Sequence, residues 1–204
     1  MTTMDKADLS KLIQEQAISL FRKNGYDQVT VQDICDKAGT TKPTFYKIAS
    51  SKADLLRSHY RKGLEELSKE AYLPDQDGSW AHAIRRYLIR VLNVLTAENY
   101  NLTAALMMSN LQEQSGMPLI GDTIRQRVQE MVERGQQCGE ITRESSARIL
   151  SETLISLTEG FITYWTLHEG EPRAEAELDH CLWSILRPTP TDSENESPAE
   201  RTLN

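Results

Sequence analysis

The chain has 204 residues, 39% of them apolar, with three cysteines and a net charge of −7; this length buries a core without help from disulfides or metals. The acidic balance speaks against a protein that coats nucleic acid over its whole surface, although residues 1–60 carry nine Lys/Arg against seven Asp/Glu and so hold the basic excess. Charges at Asp5, Lys6 and Asp8 stand where a signal peptide needs an apolar run, no segment has the apolar length of a membrane span, and Cys35, Cys138 and Cys181 lack the spacing of a disulfide framework or a zinc site, so a cytoplasmic protein with no membrane association and no cofactor or metal is expected.

Apolar residues recur every three or four positions and no stretch alternates like a strand, which makes the expected fold all-α. Leu9, Leu12, Ile13, Ala17, Leu20 and Phe21 form one stripe and predict a first helix over 8–23, stopped by Asn24-Gly25. Thr30 is the expected N-cap of a short helix over 31–37, with Asp33 near its positive end and Val31, Ile34, Cys35 and Ala38 inward. Ala38-Gly39-Thr40-Thr41 reads as a tight turn into a third short helix with Pro43 in its first turn, where a missing N–H costs nothing. Two short helices joined by a glycine turn are a helix-turn-helix signature. After Ser50-Ser51, a helix over 52–72 is expected, burying Leu56, Tyr60, Gly63/Leu64, Leu67 and Ala71, and the run from Pro74 to Gly78 stops it.

Beyond Ser79 the clearest amphipathic stripe runs from Trp80 to Leu95, followed by a Met-rich helix over 101–111 and another over 118–137. A stripe from Ala147 to Trp165 predicts a helix over 143–168, and Pro172 opens a last helix with Leu178, Cys181/Leu182 and Ile185/Leu186 on one face; the short link implies antiparallel packing. The sequence therefore divides into a three-helix helix-turn-helix domain at 1–51, a connecting helix at 52–73, a larger helical domain at 74–187 and a tail at 188–204. That tail, polar and rich in proline, has too few apolar residues to pack and is expected to be disordered.

The segment 21–56, FRKNGYDQVTVQDICDKAGTTKPTFYKIASSKADLL, resembles the DNA-binding domain of the TetR (tetracycline repressor) family in the order and spacing of Gly-Tyr, Thr-Val, Ala-Gly, Lys-Pro-Thr-Phe-Tyr and Ser-Lys. A recognition helix enters the major groove by its N-terminal end, which places Thr40, Thr41, Lys42, Pro43 and Thr44 toward base edges and Tyr46 and Lys47 toward the backbone. The resemblance implies phosphate contacts from Thr30, Tyr46 and Lys52. Phe45 and Ile34 read as core. Two positions depart from the family pattern: Ala49 stands where a large apolar or aromatic residue is usual, and Ile48 replaces a polar or aromatic one.

For the larger domain the resemblance implies an effector pocket and a dimer. Pocket candidates are Tyr87, Tyr100, Met107, Met108, Met131, Phe161, Tyr164 and Trp165, large adaptable side chains that also fit an ordinary core. Leu178, Leu182 and Ile185, with Leu154 or Leu157, are the expected self-associating face, the last two helices of each chain forming a four-helix bundle. The expected function is a ligand-responsive regulator, a repressor, that binds a palindromic operator in double-stranded DNA as a homodimer and is released by a small-molecule effector, apolar or amphipathic. The alternative is a DNA-binding regulator controlled by a protein partner through its acidic C-terminal half. No G-x-S-x-G, phosphate-binding glycine loop or HExxH supports an enzyme.

Overall fold

The computed structural model describes residues 5–70, 79–112 and 118–186; the expected tail at 188–204 lies outside them, as do the stop at Pro74–Gly78 and the expected end of the connecting helix at Tyr72. Among the described residues the secondary structure is helical throughout, in the order α1 (Lys6–Asn24), α2 (Val31–Ala38), α3 (Lys42–Phe45), α4 (Lys52–Lys69), α5 (Trp80–Thr96), α6 (Tyr100–Gln112), α7 (Asp122–Gln137), α8 (Ala147–Leu167) and α9 (Ala174–Leu186). No helix among them is long and apolar enough to cross a membrane.

Local chemistry sets most of the helix starts. Ser51, Ser79 and Ser146 each accept a hydrogen bond from the backbone N–H three residues on, and each cap satisfies a donor that the first turn leaves open. Thr30 does the same for α2 within a full capping box, since its own N–H donates to Asp33 Oδ2 at 2.8 Å. Gly39 ends α2 in the left-handed region at φ 62°, where a side chain would be strained.

Two helices begin later than their apolar spacing predicts. α7 opens at Asp122 and α8 at Ala147. The residues before α8 are occupied in tying the neighbouring turns together. Arg143 donates to the carbonyls of Gln136 and Gln137 at the end of α7, and Glu140 reaches across to the start of α5, accepting from Ser79 Oγ at 2.5 Å, Trp80 N at 2.7 Å and Ala81 N at 3.0 Å. An anion at a helix N-terminus meets both open donors and the positive end of the dipole.

A continuous core runs from Ile13, Phe21, Ile34 and Phe45 through Leu56 and Tyr60 into Ile84, Leu88, Leu102, Val128 and Ile155. α4 links the two parts: it packs on α1 on one side and on α5, α6 and α7 on the other. α9 lies against α5 and α8. Arg85 of α5 pairs with Asp179 of α9 at 2.6 Å and stacks on Trp183, 4.8 Å from its ring. Cys35 is buried, which raises its thiol pKa, and Cys181 is half-buried.

Candidate functional site

The helix-turn-helix presents one polar edge. Phe45 is fully buried and anchors α3 to the core, so the residues around it face outward: Thr41, Lys42, Pro43, Tyr46 and Lys47 are exposed, with Tyr46 at 56%. Thr40 and Thr44 are half-buried, and the Thr41 and Thr44 hydroxyls lie 3.0 Å apart. Lys42 and Lys47 bring two cations to this edge, where nucleic-acid phosphates would approach.

Thr30 and Lys52 are less free than the family resemblance implies. The Thr30 hydroxyl donates to Asp33 Oδ2 at 2.7 Å and accepts from Asp33 N, so both its functions serve the α2 cap. These hydrogen bonds from Thr30 hold the Asp33 carboxyl below its usual range. Lys52 is half-buried, donates to the carbonyls of Tyr26 at 2.8 Å and Val29 at 3.0 Å, and sits 4.3 Å over the Tyr26 ring. Only one of three ammonium protons remains for a phosphate. Its structural work is to clamp the α1–α2 loop onto the start of α4.

The expected effector residues do not surround one space. Tyr87 and Met131 are buried in the core, Met108 is exposed at 59%, and Tyr100, Met107, Phe161, Tyr164 and Trp165 are half-buried on α6 and α8. Tyr164 stacks on His168 at 4.0 Å, and Trp165 lies over the turn at Gly170. A cavity of about 500 Å³ lies elsewhere, between α1, α4, the end of α6 and the start of α7, and none of the eight candidates lines it. Large apolar residues at helical spacing serve the core first, which is why sequence spacing could not separate core from pocket. The single sequence signal for this cavity is Ala49, small where the resembled family is large, and it lines the cavity.

The expected dimer face also needs correction. Leu154, Leu178 and Leu182 are fully buried within the single chain, so they cannot be offered to a partner without unfolding. α9 turns this stripe onto α5 and α8, which share the same apolar period. Leu157 and Ile185 are half-buried against the core. The residues that α8 leaves exposed are Arg148, Ile149, Glu152, Thr153, Ser156, Gly160 and Leu167.

One polar cluster bridges the two parts. Glu98, at the α5–α6 corner, has a side chain only 7% exposed and accepts from Arg22 of α1 at 2.5 and 2.6 Å and lies 2.9 Å from His59 Nε2 of α4. The Arg22 hydrogen bonds hold the Glu98 carboxyl below its usual range. Next to it, burial pushes the Tyr60 phenol up to about 12. A depressed carboxylate stabilises the fold above its ordinary pKa, and that stability is lost as pH falls through the folded value. Glu98→Gln should therefore cost about 1–2 kcal/mol at pH 7, and its urea stability should fall less than the wild type's between pH 6 and pH 3. Parallel pH profiles for the two proteins would remove Glu98 from the acid response.

Fold and exposed edge together define a helix-turn-helix DNA-binding protein with a larger all-helical second part. Residues 13–58 match the model of the bacterial regulatory proteins, tetR family, so the helix-turn-helix segment of the chain is similar to that family's. An uncharacterised HTH-type transcriptional regulator of Mycobacterium tuberculosis is 22% identical over 184 residues, covering 86% of this chain and 85% of the relative. Among solved structures, the transcriptional regulator FadR from Bacillus subtilis in complex with stearoyl-CoA superposes with a TM-score of 0.61 at 17% identity, covering 87% of this chain and 97% of that one. E. coli NemR in its reduced form does so with a TM-score of 0.60 at 15% identity over 89% of this chain and all of that one. The two structures show a shared fold.

Proposed function

We propose that the protein is a cytoplasmic, ligand-responsive transcriptional repressor that binds a palindromic operator as a homodimer and is released by a small apolar or amphipathic effector. The observation that carries the DNA-binding part is the edge of α3, where Thr41, Lys42, Pro43, Tyr46 and Lys47 are all exposed around a fully buried Phe45. Bases are read from the N-terminal end of such a helix, so Lys42 donates to guanine O6 or N7 and Thr44 offers a methyl to thymine, while Tyr46 and Lys47 hold the backbone. Thr30 and Lys52 contribute through the shape of the domain, by capping α2 and by clamping the loop before it.

Dimerisation follows from the reading of a two-fold operator, since two such helices must be held at a fixed spacing. The outer face of α8 is the surface we assign to it. An effector acts by favouring one spacing over the other, and the structure of FadR with stearoyl-CoA gives a precedent for ligand binding on this fold.

Lys42→Ala and Tyr46→Ala test the reading. Both side chains are exposed, so melting temperature and oligomeric state should not change. Operator affinity should fall by about 1–3 kcal/mol for Lys42→Ala, with relaxed preference at one base pair, whereas Tyr46→Ala should weaken all sequences alike. The operator is obtained by selection from a randomised duplex pool. Gel-shift titrations that leave both variants at wild-type affinity would overturn the assignment of α3.

A further inference from the structure

The cavity between the helix-turn-helix and the rest of the molecule has a polar end and an apolar wall. At the polar end stands Gln14 of α1, only 8% exposed, whose Oε1 accepts a hydrogen bond from Lys62 of α4. An ammonium only donates, so this bond fixes which end of the amide faces Lys62 and turns the two N–H groups of Nε2 away from it. Nε2 is buried and has no acceptor among the described residues. Buried donors in folded proteins almost always have a partner, and one left open marks a place where an acceptor is wanted.

The acidic side chains around the cavity have other engagements. Asp54 receives Arg57 at 2.5 Å and the backbone N–H of Ser50 at 2.9 Å, and Glu65 lies 3.7 Å from Arg61 on the same helix. The Gln14 end offers donors, the amide N–H groups and the ammonium protons of Lys62 that Gln14 does not use, and the same lining carries one buried unmet acceptor, Asn110 Oδ1. The wall is formed by Leu64, Leu106 and Leu119, and Ala49 keeps the end of the helix-turn-helix open. A space of about 500 Å³ lies within the usual range for a small-molecule site.

We propose that this junction cavity binds an amphipathic molecule with an anionic oxygen head group, the oxygen accepting from Gln14 Nε2 and Lys62 while the apolar body lies against Leu64, Leu106 and Leu119. Gln14 and Ala49 belong to the DNA-binding part, and Leu106 and Leu119 to the larger part, so an occupant touches both. It therefore stabilises whichever relative placement admits it, and it shifts operator affinity because that placement differs from the one DNA selects. This regulatory consequence rests on the effector-released reading above. The binding site does not.

The probe is 1-anilinonaphthalene-8-sulfonate, an apolar ring system with one anionic head group, titrated into the full-length protein by fluorescence. The expected result is saturable binding at one site per chain, about tenfold or more weaker in Gln14→Leu, as for the loss of a hydrogen bond to a charged group. Gln14→Leu should fold, since leucine is of similar size, the substitution removes a buried donor without a partner, and exposed Lys62 exchanges its lost acceptor for water. Ala49→Phe, a residue type usual at this place in the resembled family, should fill the opening and block the dye. Thermal melts of both variants establish that they fold. Absence of saturable binding to the wild type, or equal affinity in the folded variants, would overturn the site. In a parallel gel shift the dye should weaken the wild-type operator complex and leave that of Ala49→Phe unaffected. Site-specific dye binding with unchanged operator affinity would overturn the regulatory consequence, and failure of the wild type to bind any selected operator would overturn the proposed function while the dye titration still decides the site.

Discussion

For the proposed homodimer, a Gly160→Trp variant is expected to sediment as a monomer at concentrations where that dimer would persist in the wild type, and to lose operator affinity by about 100-fold, the effect of removing an interface hot spot. Among the exposed residues of α8, Ile149, Thr153, Ser156, Gly160 and Leu167 follow one another by four, three, four and seven residues, the period at which helices pack side by side in bundles, with Arg148 and Glu152 exposed beside them and Thr163 half-buried. Ile149 is 52% exposed and Leu167 74%. Glycine inside a helix costs about 1 kcal/mol relative to alanine, yet a Cβ at Gly160 would meet nothing within 4 Å in its own chain. The fold of one chain therefore gives no reason for glycine there; close approach of a second helix does. It follows that Gly160→Trp should leave the monomer's helix content intact, which separates lost association from lost folding. Leu182→Asp cannot serve this purpose, because Leu182 is buried in the single chain and a charge there would unfold it. Wild-type sedimentation by Gly160→Trp would remove this face of α8 from the interface.

The helix-turn-helix was legible in the sequence because its signals are local. Thr30 with Asp33, Gly39 at the turn and Pro43 at the start of α3 each act within a few residues, and each sits where its spacing implies. Burial of Ile34 followed from its place on α2, and Phe45, read as core within the motif, is buried as well. Contacts between distant segments carried no such signal. Glu140 caps a helix that starts 61 residues earlier at Ser79, and Glu98 receives an arginine 76 residues away; neither carboxylate differs in sequence from an ordinary surface one. The apolar face of α9 was legible as a face, but an interface between chains and a core within one chain ask for the same residues at the same period. In the folded chain the stripe of α9 is taken up by α5 and α8, and the exposed side of α8 is the face left to which the proposed interface can be assigned. The cavity at the junction escaped for a related reason: it is marked by a small residue at Ala49 and by unmet polar atoms on Gln14 and Asn110, and absence has no period.

The second large effect is expected at Gly63. α4 starts beside the recognition helix at Lys52 and passes into the larger part, held by Glu98 through His59 and packed on α5. Gly63 lies where that packing is closest: a Cβ built there would stand 2.9 Å from Val94 Cγ1. Valine is branched at Cβ and has one preferred rotamer in a helix, so it yields little, and room must come from movement of α4 against α5. Gly63→Leu should then cost roughly 3 kcal/mol of stability, the upper part of the range for overfilled cores, with Gly63→Ala milder. Coupling between operator and effector is a difference between two placements of the same elements, commonly 1–3 kcal/mol, and it is reciprocal. A displaced α4 changes that difference even where neither site is touched. The expected result is that the ratio of operator affinities without and with an inducer, identified by thermal-shift screening of the wild type, moves toward one in Gly63→Leu more than either binding constant moves alone. Since stability also falls, the titrations are run well below the variant's melting temperature. A ratio equal to the wild type's in a folded Gly63→Leu would mean that the effector does not act through the α4–α5 contact.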